Sequence, residues 1–202
     1  MRIPYVPNPP EPTTAEDAAI VARIAARRAP RPLQPLDLAL LHAPAVADGW
    51  NAFLGAVRTK TTALAADLRE LAVSRVAVVN HAWYEWGHHA PLAAQAGVSA
   101  AGLDVAKLDG PLSLDRHDEL LATPAGQPAP LSETQWAVLV YTDEMTRSVT
   151  VADATFARLR ELFDERQIVE LTAVIACYNC VSRFLVALDV GERNGTGPDA
   201  TH

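Results

Sequence analysis

The chain reads as an all-α protein, and three observations carry that reading. Apolar residues recur at helical spacing through its long segments. The breaks between them hold helix caps, prolines and glycines. No stretch shows the strict alternation that a half-buried strand needs, and no internal repeat is present. With 202 residues, half of them hydrophobic, a single domain with a sizeable core is expected.

Residues 1–13 are proline-rich and read as extended. Thr14 caps a helix running to about Arg28, with Ile20, Val21 and Ile24 as its apolar stripe and Pro30 as its stop. After Pro32 and Pro35 come a brief apolar helix, 36–41, and a longer one, about 45–59, in which Val46, Trp50, Phe53, Leu54 and Val57 repeat at helical spacing. Residues 67–79 read as a buried helix interrupted by Arg69, Glu70 and Arg75. Asn80 and His81 suit a turn. A helix over 82–95 follows, stopped by Gly97 and kinked or broken at Pro91.

Ser99 caps a short helix, about 99–107. Residues 108–130 hold four prolines and two glycines, the pattern of a long loop. Ser132 and Gln135 form a capping box for a helix over about 133–147, and another covers roughly 152–163. Asp164 and Gln167 open the last helix, about 165–189, which is apolar on most sides and therefore expected at the centre of the bundle. The organisation expected is an N-terminal arm with a helix (1–35), a helical domain (36–190) and a disordered tail (191–202).

A formal charge of −7 argues against a nucleic-acid partner. The start, MRIPYVPNPPEP, has no apolar run, so no membrane partner and a cytoplasmic location are expected. Two cysteines, Cys177 and Cys180, exclude a secreted disulfide framework.

Titratable groups concentrate in NHAWYEWGHHAPLA, residues 80–93, which places His81, Glu85, His88 and His89 among Trp83, Tyr84 and Trp86. On one continuous helix the four would share a face. A carboxylate one turn from an imidazole is the usual way to poise a histidine, and His89 stands so relative to Glu85. The spacing fits equally a pair of half-buried histidines packed on tryptophan. Glu85-x-x-His88 is half of a di-iron pattern whose second half is missing. A mononuclear site from His81, Glu85 and His89 is the minor alternative, and neither metal nor cofactor is expected.

Cys177-Tyr-Asn-Cys180 has the CxxC spacing of redox motifs. It lies inside the most apolar helix, with nothing nearby in sequence to lower a thiol pKa, so both cysteines read as core residues, with an atypical peroxidase using Cys177 and Cys180 as the minor alternative. Tyr178, Asn179 and Arg183 on that helix need partners: a pocket, or ties to other helices. The chain has no G-x-S-x-G and no glycine-rich phosphate loop, which excludes the common hydrolase and nucleotide-binding readings.

Four stretches in order, LLHAPAVADGWNAFLGAVRTK (40–60), LRELAVSRVA (68–77), WYEWGHHAPLA (83–93) and YNCVSRFLVAL (178–188), resemble the carboxymuconolactone decarboxylase family of the alkylhydroperoxidase D-like superfamily. The resemblance covers about residues 36–190. It implies an alkylhydroperoxidase D-like helical bundle assembled as a homotrimer or homohexamer. Peroxidase-type members use a Glu, a CxxC pair, and a His four residues after the second Cys. Placing that His on His89 sets the cysteine positions at Ala82 and Glu85 and the Glu at Glu70. The chain thus keeps the acid–base pair and lacks both thiols, which disfavours a peroxiredoxin-like antioxidant activity.

The decarboxylase-type members fit better. Loss of CO2 from a carboxylated lactone leaves a carbanion or dienolate that needs charge stabilisation and a proton. On this resemblance the chain is a lyase acting on a small carboxylated lactone or related cyclic acid. His89 is the expected proton donor, with Glu70 or Glu85 orienting it or relaying protons. Trp83, Tyr84, Trp86 and His88 would wall the substrate pocket, and Arg75 would hold an acidic substrate or form a structural ion pair. A non-catalytic, ligand-binding helical oligomer is the remaining alternative.

Overall fold

A computed structural model describes residues 1–60, 63–124 and 127–200. Among them are ten α-helices and no strand: α1 (Ala15–Arg28), α2 (Pro35–Leu40), α3 (Pro44–Gly55), α4 (Ala66–Val79), α5 (Trp83–Gln95), α6 (Ala100–Ala106), α7 (His117–Leu121), α8 (Glu133–Ser148), α9 (Asp153–Leu162) and α10 (Glu165–Leu188). The expected caps hold. Thr14 accepts from the Asp17 N–H and Ser99 from the Gly102 N–H, while Ser132/Gln135 and Asp164/Gln167 form reciprocal capping boxes.

The centre of the bundle is α4 rather than α10. Ten of the fourteen residues of α4 are buried, and it packs on α5, α8 and α10. A helix surrounded by neighbours needs no polar face, which is why its apolar residues show no one-sided stripe. By length and composition α10 could cross a bilayer. Here it buries one stripe, including Leu171, Val174, Ile175, Tyr178 and Val181, and leaves Val169 and Cys180 exposed. Its Glu170 accepts from the N–H groups of Ala63 and Leu64 at 3.0 Å each, capping the chain as it enters α4.

Three other expectations change. The proline-rich segment contains structure: a 3₁₀ turn at Leu114–Arg116 leads into α7, while Gly126 lies outside the described residues. Helix α5 is continuous through Pro91. The tail as far as residue 200 folds back on the body. Trp86 Nε1 donates to the Pro198 carbonyl at 2.9 Å, Lys107 pairs with Asp199 at 3.1 Å, and Glu192 engages the Met1 amino group and the Tyr5 hydroxyl. Gly191 has a positive φ of 78°, and a Cβ there would fall 2.2 Å from the Tyr84 ring, so only glycine fits where the tail crosses α5. The proline-rich start is tied down as well, with the Arg2 N–H donating to the Leu188 carbonyl at 2.7 Å.

Arg75, fully buried in mid-α4, is fully employed. Its Nε donates to Asp143 Oδ1 at 2.9 Å, Nη1 to the Ala106 and Leu108 carbonyls, and Nη2 to Gly110 at 2.9 Å. Asp143 Oδ2 takes the Leu112 N–H at 3.0 Å. One ion pair thus fastens α4, α8 and the 106–112 segment. Asp143 also accepts from Arg147 Nε at 3.0 Å, whereas Arg75 has no other carboxylate partner among the described residues, so Asp143→Ala strands a cation in the core and should lower unfolding free energy by about 3–5 kcal/mol in urea denaturation. Arg75→Ala leaves Asp143 paired with Arg147 and should cost less, and the double variant much less than the sum.

Candidate active site

Helices α4 and α5 are joined by a tight turn in which His81 is left-handed, with φ 53°. Helix α5 begins only at Trp83, so His81 leaves the face it would share on one continuous helix, and the His81–Glu85–His89 set is not assembled. No group of three metal-ligating side chains comes together among the described residues.

The turn sets α5 against α4 so that His89 meets Glu70, nineteen residues earlier. His89 Nδ1 lies 2.6 Å from Glu70 Oε2, with both side chains buried. The other Glu70 oxygen faces Arg69 at 3.3 Å and Arg58 at 4.0 Å. Burial raises the Glu70 carboxyl, but the hydrogen bond from His89 and the nearby Arg58 and Arg69 outweigh that and hold it below the ordinary carboxylate value. Burial pulls the His89 imidazole below its ordinary value, and the Glu70 hydrogen bond opposes this only in part.

Both directions describe one state: a Glu70 carboxylate accepting from the Nδ1–H of a neutral imidazole. Nδ1 then carries the ring's only proton, and Nε2 is a bare acceptor. The Tyr178 ring meets the imidazole edge to face, with centroids 4.9 Å apart, which fixes its plane.

Glu85 does something different. It is 2% exposed, its Oε1 accepts from Ser182 on α10 at 3.0 Å, and its Oε2 has no partner among the described residues. Burial drives its pKa well above the ordinary carboxyl value, and the Ser182 hydrogen bond opposes this weakly. One turn of α5 therefore carries a neutral acid and a neutral base held apart by their surroundings. Glu85 does not orient His89; Glu70 does.

Both groups line one cavity of about 220 Å³, together with Tyr84, His88, Tyr178 and four arginines: Arg27, Arg28, Arg31 and Arg58. Arg28 makes a bidentate pair with Asp37 at 2.8 Å, and Arg27 donates to Asn51. Arg31 stands exposed at the rim. Arg58 arrives on a π-turn, Ala56–Lys60, that continues α3. In a chain with net charge −7, the only carboxyl group among the described lining residues is Glu85, whose pKa burial drives well above the ordinary value. The cavity is a cationic recess in an acidic protein.

Of the remaining residues singled out in the sequence, Tyr84 and His88 line this cavity, with their rings 4.4 Å apart. Trp83 and Trp86 do not. Trp86 packs with Ala77, Val78, Ala82 and Ala90 on the opposite side of α5, because a helix cannot turn residues 84, 85 and 86 to one face. Arg75 is also absent, being held by Asp143. Asn179 ties helices instead, donating to Thr146 on α8 at 3.1 Å and accepting from Asn80.

Cys177 is buried, and burial lifts its thiol to about 12. Cys180 is exposed, and both face a separate apolar groove with Trp50 and Phe53. The four arginines and Ser182 were missed in the sequence. The cluster Arg27, Arg28, Arg31 closing α1 was the available signal: it exceeds what a helix C-terminus needs.

A carboxymuconolactone decarboxylase family model matches residues 44–106. The match covers about a third of the chain, and over that segment the chain is similar to the carboxymuconolactone decarboxylase family. It runs from α3 through α6 and contains Arg58, Glu70, Glu85 and His89, so the central pair lies inside the matched segment. Helices α1 and α10, which complete the cavity, lie outside it. Comparison with curated proteins and with solved structures returns no match.

The raised Glu85 value makes the fold retain a proton that the unfolded chain releases. Its stabilising contribution is present at acid pH and is lost as pH rises above the ordinary value of 4.5 toward the raised folded value. Glu85→Gln cannot titrate. Its Tm relative to wild type should therefore climb steadily as pH is raised from about 5 to 8 in thermal melts. A pH-independent difference would mean that Glu85 is ionised in the fold.

Proposed function

We propose that the chain is a lyase of the carboxymuconolactone decarboxylase type, using acid–base chemistry on a small carboxylated lactone or related cyclic acid. The observation that carries this reading is the Glu70–His89 hydrogen bond at the wall of an arginine-lined cavity. Arginines suit a carboxylate because their planar donors match its two oxygens. Tyr84, Leu36, Leu54, Val181 and Leu185 supply an apolar wall that keeps water from the reacting centre.

In this reading His89 Nε2 first takes a proton, from the substrate's carboxyl group or from solvent, and the Glu70 carboxylate stabilises the resulting imidazolium. The C–C bond to the carboxylate breaks, CO2 departs, and the electron pair spreads into the ring. Nε2 then returns the proton to carbon and the imidazole is neutral again. Glu70 acts by holding the tautomer and compensating the charge.

A thiol peroxidase is the weaker reading. Its nucleophile would have to be a thiolate, and Cys177 is held protonated in a different groove. Self-association into trimers or hexamers belongs to the same proposal. The exposed Val46 and Phe53 beside that groove are apolar surface a neighbouring copy could cover.

The test is CO2 release from a panel of five-membered lactone carboxylates. His89→Gln should lower kcat by about 10²–10⁴-fold. Replacing both cysteines with Ala should leave turnover unchanged. Arg31→Ala should raise KM by about tenfold with little change in kcat, since a rim cation binds ground and transition states alike. Full turnover by His89→Gln would sink the reading.

A further inference from the structure

Glu85 holds an unused polar atom in a place where unused polar atoms are costly. Buried groups without partners are few in folded proteins, and each asks for an explanation. Ser182, itself fully buried on α10, donates to Oε1. A neutral carboxyl group carries one proton, and an oxygen already accepting from Ser182 is the poorer place for it. The hydroxyl is therefore on Oε2, which has no acceptor among the described residues. The side chain lines the same cavity as His89 and the arginines.

We infer that the Oε2 hydroxyl of Glu85 is a ligand-anchoring donor, which takes a carbonyl oxygen of the ligand at the buried wall while the arginines take its anionic group. This rests on the lyase reading for the identity of the ligand, a ring carbonyl conjugated to a carboxylate-bearing carbon. It adds a role for the residue. After CO2 leaves, the electron pair delocalises onto that carbonyl oxygen. A donor already in place strengthens its hydrogen bond as the charge grows, and keeps its own proton throughout. His89 handles the proton at carbon, Glu85 the charge on oxygen. Ser182 is a positioning residue, because its hydrogen bond decides which carboxyl oxygen bears the proton.

The experiment uses the full chain, with wild type, Glu85→Gln, Glu85→Leu and Ser182→Ala each checked by thermal melting. Infrared difference spectra at neutral pH should contain a protonated-carboxyl stretch that disappears in Glu85→Gln and shifts when γ-butyrolactone-γ-carboxylate is added. By calorimetry with that probe, Glu85→Gln keeps a donor on the same atom and should bind within about threefold of wild type. Glu85→Leu should bind at least about tenfold more weakly. Ser182→Ala should broaden or move the infrared band.

Absence of the band, or wild-type affinity in Glu85→Leu, overturns the inference. Failure of the wild-type protein to bind the probe overturns the ligand class. A band that shifts with the probe in a protein releasing no CO2 from any lactone would retain the donor and reject the lyase reading.

Discussion

The hydrogen bond between Glu70 and His89 is the constraint from which the rest of the site follows. A carboxylate buried in the most enclosed helix of the bundle is tolerable only with a donor, and the imidazole supplies it. That donation fixes the tautomer. The tautomer leaves Nε2 bare, and the edge of the ring against Tyr178 holds it in place. Arg58 and Arg69 keep Glu70 charged without competing for the oxygen that His89 uses. Chemistry and architecture meet in one contact, because the same bond docks α5 on α4.

Helix α4 carries two buried charged residues, Glu70 and Arg75, and uses them for opposite ends. Arg75 exhausts its donors on Asp143 and three carbonyls, so it is a clamp with nothing left for a ligand. Glu70 spends one oxygen on a residue that faces a cavity. Helix α5 repeats the contrast, with His89 paired and Glu85 half-paired. The arginines that give the cavity its sign come from α1, the connector after it and the π-turn. The N-terminal helix is thus part of the site rather than an appendage.

Helix positions were legible in the sequence because the caps are local. Thr14, Ser99, Ser132 and Asp164 each bond to a backbone group three residues away. The partnership of Glu70 with His89 came from the family resemblance, since residues on two helices have no spacing rule linking them. The wall of tryptophans was misjudged for a geometric reason: Trp83 and Trp86 are near the cavity in sequence but project from other faces of α5. Arg75 looked available because its acceptors, three backbone carbonyls and an aspartate 68 residues away, leave no mark in a linear pattern. The tail looked disordered by composition, yet the Trp86 indole and Lys107 hold it.

The protonation state of His89 tests the account most directly. Nitrogen-15 NMR of the full chain, with His89 assigned by comparison with His89→Gln, distinguishes the neutral tautomers from the imidazolium. At neutral pH the account predicts a neutral ring protonated at Nδ1, with this tautomer preference lost in Glu70→Gln. An imidazolium at neutral pH, or a ring protonated at Nε2, would contradict it.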